Sequence, residues 1–401
     1  MEHEAIVIVA ETILSALFPP VVHLQLCDVV QDNAVSTILR CVWLAPQPDH
    51  PNTVILKRPH RYVEAIFHEW ALAFVRTRRS LHGLVPQVYG YDEPTKILVM
   101  EDLGPSDGQL LRHILMASEM ARAVDALVAF QRPVGLLHAG TIGQHAAYAR
   151  LRAHYPNTIH SRQMIYYFAK IFDAFLMLPE TLGRRTVPGL RQEVDTAWVA
   201  IAHPGPFFAL THGDTTPLNI FYTPAGANRL YDFEFCGFRH ALLDGTYAHK
   251  RYLQSVWALD IPTPVQNRMY HAYRAALIQG CPAATDDTVF QNAYLACCMV
   301  WLAGACWVIP QVYEADQRWG VSTWRQRIMT CLRQFIDLTQ VWGLNGAVTE
   351  TCQDIAQCLH AQWRDMDNRP PFILRSPRRR QRRDHLAHNI SPCPVRSGIR
   401  A

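Results

Sequence analysis

The stretch THGDTTPLNIF, residues 211–221, and the segment LYDFE, residues 230–234, decide how this chain is interpreted. Asp214, Asn219 and Asp232 stand out in them because these polar side chains lie between apolar runs of strand-like composition. Asn219 follows Asp214 by five residues, and Asp232 follows Asn219 by thirteen. The pattern predicts a polar loop between two short strands, with three oxygen-bearing side chains available for chemistry.

Transfer of a phosphoryl group requires side chains of this kind. One group must hold and deprotonate the acceptor hydroxyl, and oxygen ligands must hold the magnesium ions that bridge the phosphates. Asp214 suits the first role, as a catalytic base. Asn219 and Asp232 suit the second, because amide and carboxylate oxygens are hard ligands. The spacing D-x-x-x-x-N with a later D-F is the pattern of a kinase catalytic loop and its magnesium-binding aspartate.

The motif H-G-D-x-x-x-x-N followed by D-F-E resembles the aminoglycoside phosphotransferase and choline kinase superfamily of small-molecule kinases, which have a protein-kinase-like fold. The resemblance implies a phosphotransferase that uses ATP or GTP with Mg²⁺ and has the hydroxyl of a small molecule as acceptor. It also implies a lysine at the end of the third strand, for the α- and β-phosphates, and a glutamate on the next helix. Lys57 and Glu69 stand at those positions, with Glu64 as a competing partner for the lysine.

Residues 97–104, ILVMEDLG, are similar to the strand and hinge that join the two lobes in this family. The resemblance implies that main-chain groups of Met100, Glu101 and Leu103 read the edge of the adenine. An apolar strand that ends in acidic turn residues is common in other proteins, so this segment supports the interpretation only together with the loop.

The turn QDNA, residues 31–34, departs from the family because it contains no glycine for close main-chain approach to phosphates. Asn33 is predicted to cap the phosphates with its side chain instead. This departure keeps a second interpretation open, a pseudokinase or nucleotide-binding module without turnover. Further along, GFRHALLD, residues 237–244, resembles the family segment in which a second aspartate orders the catalytic region, so Asp244 is interpreted as structural, with substrate contact as the alternative.

A third interpretation, a protein kinase, is disfavoured by the length of chain after Asp232. Only eleven residues separate Asp232 from Asp244, and no A-P-E motif follows, so little chain remains for a peptide platform. About a hundred residues between the hinge and residue 211 are mostly helical in pattern. They can wall off a small-molecule pocket beside Asp214.

Hydrophobic periodicity predicts an α+β, two-lobed fold: a small five-stranded antiparallel N-terminal lobe with one helix, then a larger helix-rich lobe. The predicted units are an N-terminal nucleotide-binding lobe at 1–104, a helical lobe at 105–368 and a disordered basic tail at 369–401. The predicted strands are 24–30, 35–44, 53–57, 87–91, 96–101, 207–210 and 229–233. The predicted helices are 4–17, 62–79, 119–131, 161–178 and 190–202.

The composition, 49% hydrophobic and 18% charged residues, indicates a globular protein with a large core. Residues 375–401 carry eight Arg and one Asp and contribute +7 to a formal charge of +4, which leaves about −3 for the remainder. A nucleic-acid partner is therefore not expected for the folded part. The cysteine pattern and the N-terminus favour the cytoplasm, the apolar run 293–309 is predicted to be a core helix and not a membrane span, and the oligomeric state stays open.

Overall fold

The computed structural model describes residues 2–60, 74–75, 81, 83–104, 110–117, 119–153, 160–222, 228–249, 261–320 and 322–363. The predicted helix at 62–79, which contains Glu64 and Glu69, lies outside these residues apart from the helical positions 74–75. The basic tail also lies outside them. Predictions for those segments remain predictions.

The N-terminal part is a five-stranded antiparallel sheet with the strand order β1-β2-β3-β5-β4. Each predicted strand is present, and the observed ends differ from the predicted ones by a few residues at most. The elements are α1 Glu2–Leu17, β1 His23–Asp32, β2 Ser36–Leu44, β3 Thr53–Pro59, β4 Val88–Asp92 and β5 Ile97–Glu101.

Helix α1 agrees with the helix predicted at 4–17, which the description of a lobe with one helix did not count, and it covers one face of this sheet. Its buried residues Ile6, Ala10 and Leu14 are four apart and so share one face of the helix. They form a core cluster with alternate residues of β2, including Leu39 and Trp43. The N-terminal helix therefore packs on one face of the sheet and leaves the opposite face uncovered by α1.

The remainder is helix-rich, which confirms the predicted fold class. Among the described residues, three two-stranded antiparallel sheets interrupt the helices: β6 with β9, β7 with β8 and β10 with β11. The elements are α2 Leu111–Ala117, α3 Met120–Ala129, α4 Gln131–Thr141, α5 His145–Arg152, α6 His160–Thr181, α7 Leu190–Ala202, β6 Phe208–Thr211, β7 Ile220–Tyr222, β8 Asn228–Leu230, β9 Gly237–His240, α8 Leu242–Gly245, α9 Thr263–Leu277, α10 Asp287–Cys306, α11 Ile309–Val312, β10 Arg318–Trp319, β11 Ser322–Thr323, α12 Trp324–Trp342 and α13 Ala347–Gln362.

The prediction of two strands around the polar loop was incomplete. Four strands are present, because Ile220–Tyr222 pairs with Asn228–Leu230 and Gly237–His240 pairs with Phe208–Thr211. Strand β8 ends at Leu230, so Asp232 lies after the strand and not on it. Strands of three or four residues carry too little alternation for a sequence pattern to identify them.

Helix α10 is the centre of the helical part. Within the described residues, one helical stretch, Asp287–Val312, has the length and composition to cross a membrane, and 72% of its apolar window is buried inside the protein. Asp286 caps its start by accepting a hydrogen bond from the N–H of Val289 at 3.0 Å. This burial agrees with the prediction of a core helix.

Two ion pairs fix the segment that follows β5. The Glu101 carboxylate accepts hydrogen bonds from Arg229 on β8 at 2.6 and 2.7 Å. Arg40 on β2 donates to Asp102 at 2.8 Å and to the Gly104 carbonyl at 2.8 Å. Because Arg229 stands three residues before Asp232, the first pair ties the sheet directly to the polar loop.

Candidate active site

The polar loop begins at the end of β6 with a glycine that no other residue can replace without strain. Gly213 has a φ of 86°, in the left-handed region that disfavours residues with a Cβ. A Cβ at this position would also clash with the carbonyl oxygen of Phe235 and with the guanidinium of Arg239. The loop can therefore turn tightly between β6 and Asp214 only because residue 213 is glycine.

Asp244 fixes the start of the loop through hydrogen bonds to main-chain amides. Its side chain accepts a hydrogen bond from the N–H of His212 at 2.6 Å and one from the N–H of Gly213 at 3.2 Å. The residue is 2% exposed, and the Nε2 atom of buried His138 lies 3.5 Å from its carboxylate. This geometry agrees with the predicted structural role of Asp244. The carboxylate satisfies two loop amides that would otherwise be buried without an acceptor.

His212 links the loop to the segment that carries Asp232. Its Nε2 atom lies 2.9 Å from the Tyr231 carbonyl, and its Nδ1 atom accepts from the N–H of Asp214 at 3.3 Å. Burial lowers the pKa of His212, although Asp244 opposes the shift. The ring is therefore neutral near pH 7 with its proton on Nε2, and it bridges both catalytic segments.

Asp214 and Asn219, which the sequence assigned to separate roles, are in direct contact. The Asn219 side-chain amide donates to Oδ2 of Asp214 at 2.9 Å and to the Asp214 carbonyl at 3.0 Å. Asp214 is half-buried, so one side of its carboxylate is oriented by the protein while the group can still be reached. Asn219 is 7% exposed. No hydrogen bond within the described residues uses its amide oxygen.

Asp232 has a strained backbone and a lysine partner. Its φ is 64°, unusual for a residue other than glycine and typical of functional sites where the surroundings enforce it. The Lys57 ammonium donates to its Oδ1 atom at 2.6 Å. Burial raises the pKa of Asp232, but the attraction and hydrogen bond of Lys57 outweigh it, so the pKa lies below its ordinary value. Asp232 is thus ionised at neutral pH.

The residues predicted to hold Mg²⁺ fit a magnesium site in donor chemistry. The N–H of Tyr231 donates to the Asn219 carbonyl at 3.2 Å, which places Asn219 beside the residue that precedes Asp232. One amide oxygen and one carboxylate are few ligands, yet Mg²⁺ is usually held by one or two carboxylates together with substrate phosphates. No cluster of three or more His, Cys, Asp or Glu side chains suited to a metal occurs in the described part of the chain.

The hinge residues do not all have their main-chain groups free. Met100 lies inside the sheet, opposite Ile55 on β3 and Val88 on β4. The N–H of Glu101 donates to the Gln87 carbonyl at 2.7 Å, and its carboxylate binds Arg229. Leu103 follows the strand. Among the described residues, no hydrogen bond engages the main chain of Leu103.

Asn33 stabilises its own turn. Its side-chain oxygen accepts hydrogen bonds from the N–H groups of Val35 at 2.8 Å and Ser36 at 3.2 Å. This arrangement is the Asx turn expected of Asn between two strands. The predicted phosphate contact of Asn33 remains a prediction, and it would use the side-chain NH₂ group, which is the donor.

The structure adds residues that the sequence did not single out. Arg229 binds Glu101, and His138 lies between Asp244 and Tyr273, whose hydroxyl is 2.8 Å from its Nδ1 atom. These positions carry no motif, because each partner is separated from it by more than a hundred residues. The predicted partner of Lys57, Glu69, lies outside the described residues. In this structure Lys57 contacts Asp232.

No protein-family model matches the chain, and no curated protein matches its sequence. Among solved structures it is similar to an ethanolamine kinase of Plasmodium vivax, with 12% identity, 84% of this chain and 83% of that chain covered, and a TM-score of 0.43. It is also similar to a choline kinase of Streptococcus pneumoniae, with 12% identity, 82% of this chain and 98% of that chain covered, and a TM-score of 0.40. An ADP-bound aminoglycoside phosphotransferase is similar at 12% identity, with 82% of this chain and 95% of that chain covered and a TM-score of 0.43. Similarity at this level concerns the fold alone.

Proposed function

We propose that this protein is an ATP-dependent phosphotransferase that moves the γ-phosphate to a hydroxyl of a small molecule. Asp214 acts as the base that holds and deprotonates the acceptor hydroxyl. Asn219 and Asp232 supply oxygen ligands for Mg²⁺, and Lys57 provides the positive charge for the nucleotide phosphates. When bound, the metal neutralises charge that develops on the transferring group.

The observation that supports this proposal best is the convergence of four side chains from three distant segments. Asp214 is oriented by Asn219, and Asp232 is held ionised by Lys57 in a strained backbone conformation. A polar loop without chemistry has no reason to keep Asp232 at a positive φ or to bring Lys57 from the sheet. The arrangement thus provides two separate carboxylates, Asp214 for the acceptor hydroxyl and Asp232 for Mg²⁺.

Each residue has a task that its geometry supports. The amide of Asn219 orients the carboxylate of Asp214, the group that would take the proton of an acceptor hydroxyl. Lys57 holds Oδ1 of Asp232 before nucleotide arrives. A nucleotide phosphate entering between them would exchange this contact for two new ones, with the ammonium on the phosphate and the carboxylate on the cation.

A small-molecule acceptor agrees with the short connection after Asp232. Between Asp232 and Asp244 the chain forms strand β9 and the start of α8, so these residues are used within the core. Phe233 and Phe238 are 1% and 7% exposed. No extended surface for a peptide is built from this segment.

The deciding experiment measures ATP consumption with a panel of amino alcohols, sugars, aminoglycosides and macrolides, beside casein and histone as protein acceptors. We expect turnover with one of the small molecules and none with the proteins. Asp214→Asn should lower kcat roughly a hundredfold or more while nucleotide affinity changes little, because a general base is lost. Asp232→Ala should weaken Mg-ATP binding as well. Equal kcat in wild type and Asp214→Asn would contradict the assignment of the base.

A second candidate, a nucleotide-binding module without turnover, is favoured by one observation. The β1–β2 turn has no glycine, and the Asn33 oxygen is occupied within it. Thermal shift with ATP and Mg²⁺ distinguishes the two candidates when combined with the turnover assay. A raised Tm without turnover for any acceptor would favour the module.

A further inference from the structure

Arg239, on strand β9, places a charged guanidinium inside the protein beside the polar loop. The residue is 7% exposed. Burial lowers the pKa of Arg239, and the attraction of the Asp244 carboxylate opposes that shift. Taking a guanidinium out of water is costly, and a well-packed apolar side chain in such a place is often as stable. Stability alone therefore does not explain a buried arginine at this position.

The pairing of β9 with β6 directs Arg239 toward the start of the loop. Arg239 lies opposite Ala209, and Thr211 stands two residues further along β6, so its side chain is on the same face of the sheet. The Nε atom of Arg239 donates to Oγ1 of Thr211 at 2.9 Å. That hydroxyl in turn donates to the Gly237 carbonyl at 2.8 Å. The guanidinium therefore holds the last residue of β6, three positions before Asp214.

The other end of the same guanidinium contacts the segment that carries Asp232. Its Nη2 atom donates to the carbonyl of Phe235, which follows Asp232 by three residues. The main chain of Gly213 packs against this pair, because a Cβ on Gly213 would lie 2.6 Å from Nη2 of Arg239. A guanidinium is planar and its donors point in fixed directions. One rigid group thus contacts both segments at once.

The two segments are also joined by single hydrogen bonds to main-chain atoms, such as that between His212 and the Tyr231 carbonyl. Arg239 adds a charged donor to each side, and charge-assisted hydrogen bonds are the stronger kind. We propose that Arg239 is a positioning residue that fixes the loop of Asp214 relative to the segment of Asp232, and so sets the separation of the two carboxylates. The consequence for catalysis rests on the proposed phosphotransferase function, whereas the link between the segments does not.

Arg239→Lys is the most informative substitution. The ammonium keeps a positive charge near Asp244, but a single nitrogen does not reproduce the planar fork that contacts Thr211 and Phe235 together. Thr211→Val breaks the link from the other strand and leaves Arg239 charged. In the double variant the two effects should not add, because both substitutions remove the same contact.

The first measurement is independent of turnover. Amide hydrogen exchange of the full-length chain is followed by mass spectrometry in peptides that contain the N–H groups of His212 and Gly213, which donate to Asp244 in the folded protein. We expect this exchange to be about tenfold or more faster in Arg239→Lys and in Thr211→Val, because a loosened loop opens locally. Peptides of helix α10 should exchange as in wild type.

The second measurement uses an acceptor that gives turnover with wild type. Arg239→Lys should lower kcat about tenfold or more, because a small displacement of a base from its substrate is costly in rate. The Kd for Mg-ATP should change by less than about threefold, because Lys57 and Asp232 keep their own contact. A residue that only stabilised the fold would lower Tm without this division between kcat and nucleotide affinity.

Arg327→Lys is the matched control. Arg327 is fully buried on α12, donates to the Trp319 carbonyl and stacks on the rings of Trp319 and Trp324, so these partners belong to neither segment. The substitution removes the planar fork of another buried arginine and should lower Tm. It should leave both the exchange of the loop and kcat at their wild-type values.

Three results would overturn the proposal. The loop could exchange as in wild type in both Arg239→Lys and Thr211→Val, it could exchange equally fast in Arg327→Lys, or Arg239→Lys could keep the wild-type kcat. If Arg239→Lys does not fold, Thr211→Val alone decides by the same two measurements. Absence of turnover in wild type would instead contradict the proposed function, and hydrogen exchange would still decide whether Arg239 holds the two segments.

Discussion

The polar loop after β6 and the helical region around α12 both bury polar groups, but they satisfy them differently. At the loop, the Asp244 carboxylate accepts hydrogen bonds from two main-chain amides. Close by, Asp232 pairs with Lys57, so the polar groups of this region have partners within the protein. In the region around α12, the side chain of Gln334 meets no partner among the described residues. The polar groups around the loop are therefore satisfied within the protein, whereas the Gln334 amide is not. Substitutions should therefore have opposite effects on stability in the two regions.

The largest expected effect is in the loop. Asp244→Ala would leave the N–H groups of His212 and Gly213 buried without an acceptor, at about 1–3 kcal/mol each. We expect the free energy of unfolding to fall by about 3 kcal/mol or more, measured by urea denaturation. The control is Asp337→Ala, an exposed aspartate on α12, which should change it by less than about 0.5 kcal/mol. Equal effects of the two substitutions would remove the contrast between the regions.

An intermediate effect is expected from His240, which ends β9 and is stacked on Phe207 with 5.4 Å between ring centroids. Burial lowers the pKa of His240 to about 3. The unfolded chain binds a proton near pH 6.5 that the folded chain does not bind until about pH 3, so this residue makes stability fall as pH decreases through that window.

In His240→Phe that contribution disappears. The decline in the free energy of unfolding between pH 6 and pH 4 should become shallower by about 1.4 kcal/mol per pH unit. Urea denaturation across this range checks it, with the exposed His203→Phe as the control that keeps the wild-type slope. An unchanged slope in His240→Phe would show that the histidine is protonated in the folded protein.

The smallest expected effect is in the region around α12. Gln334→Leu replaces a buried amide that has no partner in the described residues with an apolar side chain of similar size. It should leave the free energy of unfolding unchanged or raise it by up to about 1 kcal/mol. Urea denaturation measures this. A loss of more than about 2 kcal/mol would mean that Gln334 is satisfied within the protein, and the two regions would then not differ.

Much of the fold could be predicted from the sequence, because the strands of the N-terminal sheet are long enough to show their alternation. The strand predicted at 53–57 is observed at Thr53–Pro59, and the helix predicted at 190–202 is observed at Leu190–Ala202. Strands β7 and β9 were missed because a few residues give no period. The role of α1 was missed because an amphipathic pattern shows that a helix has an apolar face, but not what the face covers.

The sequence by itself determined the local part of the candidate site. The D-x-x-x-x-N spacing singled out Asp214 and Asn219 in one short loop, although their hydrogen bond is known only from the structure. Only the tertiary structure decided the partners that come from far along the chain. Lys57 reaches Asp232 across 175 residues. Such contacts depend on how whole elements pack, and the free energy of packing is spread over many residues, so no short motif records it.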